Sequence, residues 1–145
     1  MDKILVSSCL LGDNTKYNGG NNYNSNIEAL KAKYIIIPIC PEVMGGLSIP
    51  RNPSEIKDNK VINNIGQDVS YNFNLGAEKT TYIIKENDIK FAILKDGSPS
   101  CGSTYIYDGT FTHTKVNKMG ITAREIKKLN IPIYTENDIE KLINM

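Results

Sequence analysis

No apolar run in this 145-residue sequence approaches the ~20 residues that a membrane-spanning helix requires. Neither charge is in excess: 17 Lys and Arg against 16 Asp and Glu leave a formal net charge of +1. That balance gives no electrostatic footprint for a nucleic-acid polymer or an acidic membrane surface. Histidine occurs once, as His113 between Thr112 and Thr114, and is linked by motif to no cysteine. It reads as an exposed loop residue rather than a ligand. Cysteine is scarce and odd in number, at three, so full internal disulfide pairing is impossible. No CxxC pair is present, which removes the usual support for a zinc-finger or thioredoxin-like site. Repeats, low-complexity tracts and linker-like shifts in composition are also missing. The chain therefore reads as one domain, 1–145, long enough to bury a real core. It enters its first strand without a basic region, apolar run and cleavage site, so the expectation is a cytoplasmic protein. In that compartment the thiols are better candidates for metal or catalysis than for staples.

What is present is a pattern in where the cysteines fall. Cys9 follows Lys3-Ile4-Leu5-Val6-Ser7-Ser8, and Cys40 closes Tyr34-Ile35-Ile36-Ile37-Pro38-Ile39. Cys101 comes after Phe91-Ala92-Ile93-Leu94-Lys95, across the loop Asp96-Gly97-Ser98-Pro99-Ser100. Short branched apolar runs without strict polar alternation predict central strands of a parallel sheet. A fourth strand is expected at Ile131 to Tyr134. Helices are expected at Ile27 to Lys33, from Ser70 to about Glu86, at Ala123 to Leu129 behind a Thr122 cap, and at Glu136 to Ile143. Between Pro41 and Pro53, three prolines and Gly45-Gly46 predict irregular chain. Val61-Ile62 and Val69 predict a small hairpin around Gly66-Gln67. The alternation implies a three-layer, Rossmann-like α/β domain with a mainly parallel sheet and right-handed crossovers. Ligands of such sheets gather outside the carboxyl ends of the strands, so the three thiols are expected to converge on one crevice. A single cysteine at a strand end is most often a small buried hydrophobe. Three at equivalent positions, each set among glycine, proline and serine, point to a site whose backbone N–H groups can approach sulfur.

The segments SCLLG (8–12), KYNGG (16–20), CPEVMGGLSIPR (40–51), ILKDGSPSCG (93–102) and YDGTF (107–111), with GITA at 120–123, resemble the bacterial and archaeal DUF523 family. Some members of that family are thiouracil desulfidases. The resemblance implies that Cys9, Cys40 and Cys101 hold a [4Fe-4S] cluster with one iron not ligated by protein. Where many relatives carry a further cysteine this chain has Thr15, and Asn18 replaces the more usual Asp. The activity implied is non-redox conversion of a thiolated pyrimidine, thiouracil or its nucleotide, to the oxo form with release of hydrosulfide. By the same resemblance Glu42 matches the acid/base carboxylate and Ser100 the assisting hydroxyl.

Read from the residues alone, Glu42 is first a salt-bridged loop carboxylate and Ser100 first a turn hydroxyl. Lys16 and Arg51 are candidates for holding an anionic substrate group, although most basic loop residues are simply solvated. Tyr107-Asp108-Gly109 reads as a turn shaping the site wall. Gly19-Gly20 and Gly45-Gly46 lack the context of a dinucleotide fold, which excludes NAD. The alternatives are an iron–sulfur or metal-binding module of sulfur metabolism without desulfidase activity and, below it, a cluster-free thiol enzyme.

Overall fold

The computed structural model describes residues 1–144. The chain runs through β1 (Lys3–Ser7), α1 (Ile27–Lys31), β2 (Ile35–Ile39), α2 (Pro41–Met44) and an antiparallel hairpin of β3 (Ser54–Lys57) and β4 (Lys60–Asn63). It continues with α3 (Ser70–Asn87), β5 (Ile89–Leu94), a two-residue hairpin of β6 (Ile106–Tyr107) and β7 (Lys115–Val116), α4 (Ile121–Lys128), β8 (Ile133–Thr135) and α5 (Ile139–Ile143).

The main sheet has the order β2-β1-β5-β8 and every pairing in it is parallel. Successive side chains of a strand face opposite ways, and here both faces are covered. Ile4, Val6, Phe91 and Ile93 pack against Ile27 and Leu30 of α1 and Ile139 and Leu142 of α5. Leu5, Ala92 and Leu94 pack against Ile84 of α3 and Ala123 and Ile126 of α4. The expected α/β architecture with a parallel central sheet between helices is therefore the observed one, and the double coverage explains why β1 and β5 lack polar alternation. From β1 the chain first adds β2 on one side and later β5 on the other. The carboxyl ends of β1 and β5 thus flank a topological switch point, where a crevice opens.

The structure departs from the expectations in several places. Residues 41–44 are helical rather than irregular, because Pro41 occupies the first helical position, where a missing N–H loses nothing. The hairpin of β3 and β4, which reverses at Asp58-Asn59 with φ of 51° and 62°, is not among the expected elements. The expected pairing around Gly66-Gln67 is present on the other edge of β4: Val69 N donates to Val61 O at 2.8 Å, and Ile62 bridges Asp68. Gly120, not Thr122, precedes α4, and Thr122 Oγ1 is buried without a partner among the described residues. The last strand begins two residues later than expected, at Ile133.

The start of α2 rests directly on α3. A Cβ at Gly76 would overlap the Pro41 carbonyl oxygen, and one at Gly45 would overlap the Asn72 carbonyl oxygen. Backbone therefore meets backbone at both positions, which fixes Cys40 and Glu42 against the longest helix. Gly76→Ala is expected to lower stability by about 1–3 kcal/mol through overpacking, read as a reduced urea midpoint. An unchanged midpoint would show that α2 is free to move.

Candidate active site

The crevice is a cavity of about 370 Å³, and its wall includes all seven residues singled out from the sequence: Cys9, Lys16, Cys40, Glu42, Arg51, Ser100 and Cys101. Each thiol arrives from a different strand end. Cys9 sits in the 3-10 turn Ser8–Leu11 that follows β1 and ends at Gly12 with φ 95°. Asn22 Nδ2 donates to its sulfur at 3.4 Å. Cys40 follows β2 directly and caps α2. Cys101 is reached through the loop after β5 and is 5% exposed. Asp96 organises that loop: its carboxylate accepts the backbone N–H groups of Gly97, Ser103, Thr104 and Tyr105 and the Thr104 hydroxyl. Burial opposes the charge of Asp96, but the Thr104 hydroxyl and these N–H groups hold its carboxyl below the usual carboxylate range.

All three cysteines are free thiols. Burial pushes the Cys101 thiol up to about 12, with smaller contributions from the Cys9, Cys40 and Glu42 charges. Burial also raises Cys9, assisted by the charge of Cys40. Between an ordinary value of 9.0 and about 12, the metal-free fold holds a proton on Cys101 that the unfolded chain has lost. Stability from this group is therefore complete below pH 9.0 and declines as pH rises toward about 12. Urea midpoints of the metal-free protein are expected to fall more steeply above about pH 9 than those of Cys101→Ala. Equal slopes would remove Cys101 as the source.

Glu42 lies in a network of short contacts. Its Oε1 accepts from Arg51 Nε at 3.1 Å, an ion pair with side chains 7% (Arg51) and 14% (Glu42) exposed. Its Oε2 accepts from Ser100 Oγ at 2.9 Å and from Ser98 Oγ at 3.3 Å. Arg51 also donates to Thr15 O at 2.8 Å and Ser48 O at 3.3 Å. Its guanidinium is thus occupied in tying α2 to two loops. Lys16 lies on the turn closed by Lys16 N to Gly20 O at 3.1 Å and lines the cavity.

Several lining residues are not identifiable from sequence. Lys95 pairs with Glu136 at 2.9 Å. Burial works against its charge, but the bond to Glu136 outweighs it and holds the ammonium above the usual lysine range. Glu136 is forty-one residues further along the chain (136 − 95), so no local motif connects the two. Ser98 was visible only as part of the Ser-Pro-Ser loop. On the outer wall Tyr107 stands edge-on to Tyr105 and to His113, with ring centroids 6.0 and 6.2 Å apart. His113 is exposed, as expected, and lines the cavity mouth.

Among the described residues, no three His, Cys, Asp or Glu side chains group as ligands of one metal ion. A cubane makes a different demand, since each thiolate takes its own iron. Three soft sulfur donors with no histidine among them suit an iron–sulfur group better than a hard cation. Desolvated thiols that share one cavity also gain most from exchanging their protons for metal charge.

A family model described as 2-thiouracil desulfurase matches residues 4–138. The Bacillus subtilis (strain 168) protein YbbK, described as uncharacterized, is 37% identical over 150 residues, covering 97% of this chain and 99% of that protein. A solved structure of TudS, a [4Fe-4S]-dependent thiouracil desulfidase, matches with a TM-score of 0.91 and 37% identity, covering 98% of this chain and 95% of that one.

Proposed function

Because the chain belongs to the 2-thiouracil desulfurase family, we propose that it is a thiouracil desulfidase that replaces the exocyclic sulfur of a thiolated pyrimidine, the base or its nucleotide, with oxygen. The observation that carries this reading is the Glu42–Ser100 hydrogen bond, 2.9 Å, on the wall of the cavity that also receives three thiols. In the reaction, thiocarbonyl and water give carbonyl, hydrosulfide and a proton, so no electron donor or acceptor is required.

Cys9, Cys40 and Cys101 hold the cofactor in this reading. When bound, a [4Fe-4S] cluster with one iron not ligated by protein supplies a Lewis acid selective for soft sulfur. The remaining work falls to the chain. Glu42 takes a proton from the attacking water at Oε2, the oxygen that faces Ser100. Ser100 then accepts that proton while passing its own toward the departing sulfur. The Arg51 ion pair keeps the carboxylate in place, and Lys16 offers a cation to an anionic substrate group. Tyr105, Tyr107 and His113 give the pyrimidine ring an aromatic wall.

The test is anaerobic reconstitution with iron and sulfide, followed by 4-thiouracil or its nucleotide as substrate. An iron–sulfur absorption band with hydrosulfide released in step with uracil supports the proposal. Full iron loading without turnover on either substrate overturns it in favour of an iron–sulfur module.

A further inference from the structure

The Ser98 hydroxyl meets more partners than any other side chain in the network. It accepts Ser100 N at 3.0 Å and Cys101 N at 3.1 Å, and it lies 2.8 Å from Ser100 Oγ and 3.3 Å from Glu42 Oε2. A hydroxyl has two acceptor positions and one proton. Both acceptor positions of Ser98 are filled by backbone N–H groups, so it can take nothing from Ser100. Its one proton lies between Ser100 Oγ at 2.8 Å and, more weakly, Glu42 Oε2 at 3.3 Å, so the contact between the two hydroxyls runs from Ser98 to Ser100. Ser100, 1% exposed, is then left to donate to Glu42 Oε2, which it does at 2.9 Å.

We infer that Ser98 is a positioning residue that polarises the chain Ser98 to Ser100 to Glu42 and so aims the Ser100 proton. This rests on the desulfidase reading of Glu42 and Ser100. Once Glu42 carries a proton and turns it toward Ser100, both acceptor positions of Ser100 are full, one from Ser98 and one from Glu42. The Ser100 proton then has no protein acceptor and must point into the cavity, toward the departing sulfur. Without the Ser98 donor, Ser100 can rotate and the transfer loses its direction. The same hydroxyl anchors the Cys101 backbone, so its two roles must be separated.

Three substitutions and one direct observation do this. Ser98→Thr keeps the hydroxyl and is expected to match the parent in iron content and kcat. Ser98→Asp can accept both N–H groups, as an Asx turn does, but as a carboxylate it has no proton to donate. It is expected to keep its iron and to lose kcat per cluster about tenfold or more, the worth of one oriented hydrogen bond, with KM little changed. Ser98→Ala is expected to lose both kcat and iron. Alanine and aspartate differ in charge and in anchoring and share only the missing donor. Full kcat per cluster in Ser98→Asp, or a loss in Ser98→Thr as large as in Ser98→Ala, overturns the inference. Neutron diffraction of deuterium-exchanged crystals reads the direction without turnover: deuterium on Ser98 Oγ must point at Ser100 Oγ, and any other arrangement overturns it. A parent protein that carries iron and turns over no thiolated pyrimidine sinks the desulfidase reading itself, and the catalytic role of Ser98 with it.

Discussion

Glu42→Gln is expected to keep its iron–sulfur spectrum and lose turnover by about 10²–10⁴-fold, the usual contribution of a positioned acid–base group. Glutamine retains the shape of the side chain. Its oxygen can still accept from Arg51, which contacts Oε1 at 3.1 Å, while its nitrogen faces Ser100. What it loses is the capacity to take up a proton. Some stability goes too, because Arg51 is left without its counter-charge in a nearly closed site, although the Thr15 and Ser48 carbonyls still hold the guanidinium. A lowered melting temperature is therefore compatible with the proposal. The deciding measurement is kcat per bound cluster at a temperature where the variant is folded. Near-parental kcat would reduce Glu42 to an anchor for Arg51.

The second large effect is at the deepest thiol. Cys101→Ala is expected to prevent stable loading, because a cubane held by two thiolates is poorly retained. Cys9→Ala and Cys40→Ala are expected to act in the same direction. Cys101 is the least exposed of the three, so water or a small thiol has least access to replace it. The metal-free variant should fold normally: alanine is close in size, and the hydrogen bond lost with the thiol, to Ser7, is minor beside those by which Asp96 organises the loop. Iron analysis and the visible spectrum after anaerobic reconstitution are the readouts. Full iron content would take Cys101 off the ligand list.

The central strands were legible because covering a parallel sheet on both faces leaves a continuous apolar signature, as in Ile4-Leu5-Val6 and Phe91-Ala92-Ile93-Leu94. The convergence of Cys9, Cys40 and Cys101 followed from topology, since strand ends of one sheet share one rim. The helix at Pro41 is hidden in the sequence because proline breaks helices at most positions, although at the first helical position it is an initiator. Pairings decided by distant chain were not legible. Glu136 reaches Lys95 and Asp96 N only after β5 and β8 lie side by side. Arg51 shows the same limit. A cation in a loop near a crevice suggests a substrate anion, but the fold brings a carboxylate and two carbonyls within its reach first.

On the proposed assignment of the three thiols to one cluster, their spacing along the chain sets an order of events in making the loaded protein. Cys9 and Cys101 are 92 positions apart (101 − 9), and they become neighbours only when β5 has docked beside β1. No short stretch of the growing polypeptide can therefore capture the cofactor, unlike a zinc finger, whose ligands lie within one small loop. The apolar layers on either face of the sheet are built mainly from aliphatic side chains, with Cys101 in one and Cys9 packed against the other, so the scaffold can form first and receive the cofactor afterwards. Iron starvation should then leave cells with a pool of folded chains awaiting delivery rather than with unfolded chains for proteases. A reserve of this kind would let activity recover at the pace of cluster supply, without new protein synthesis.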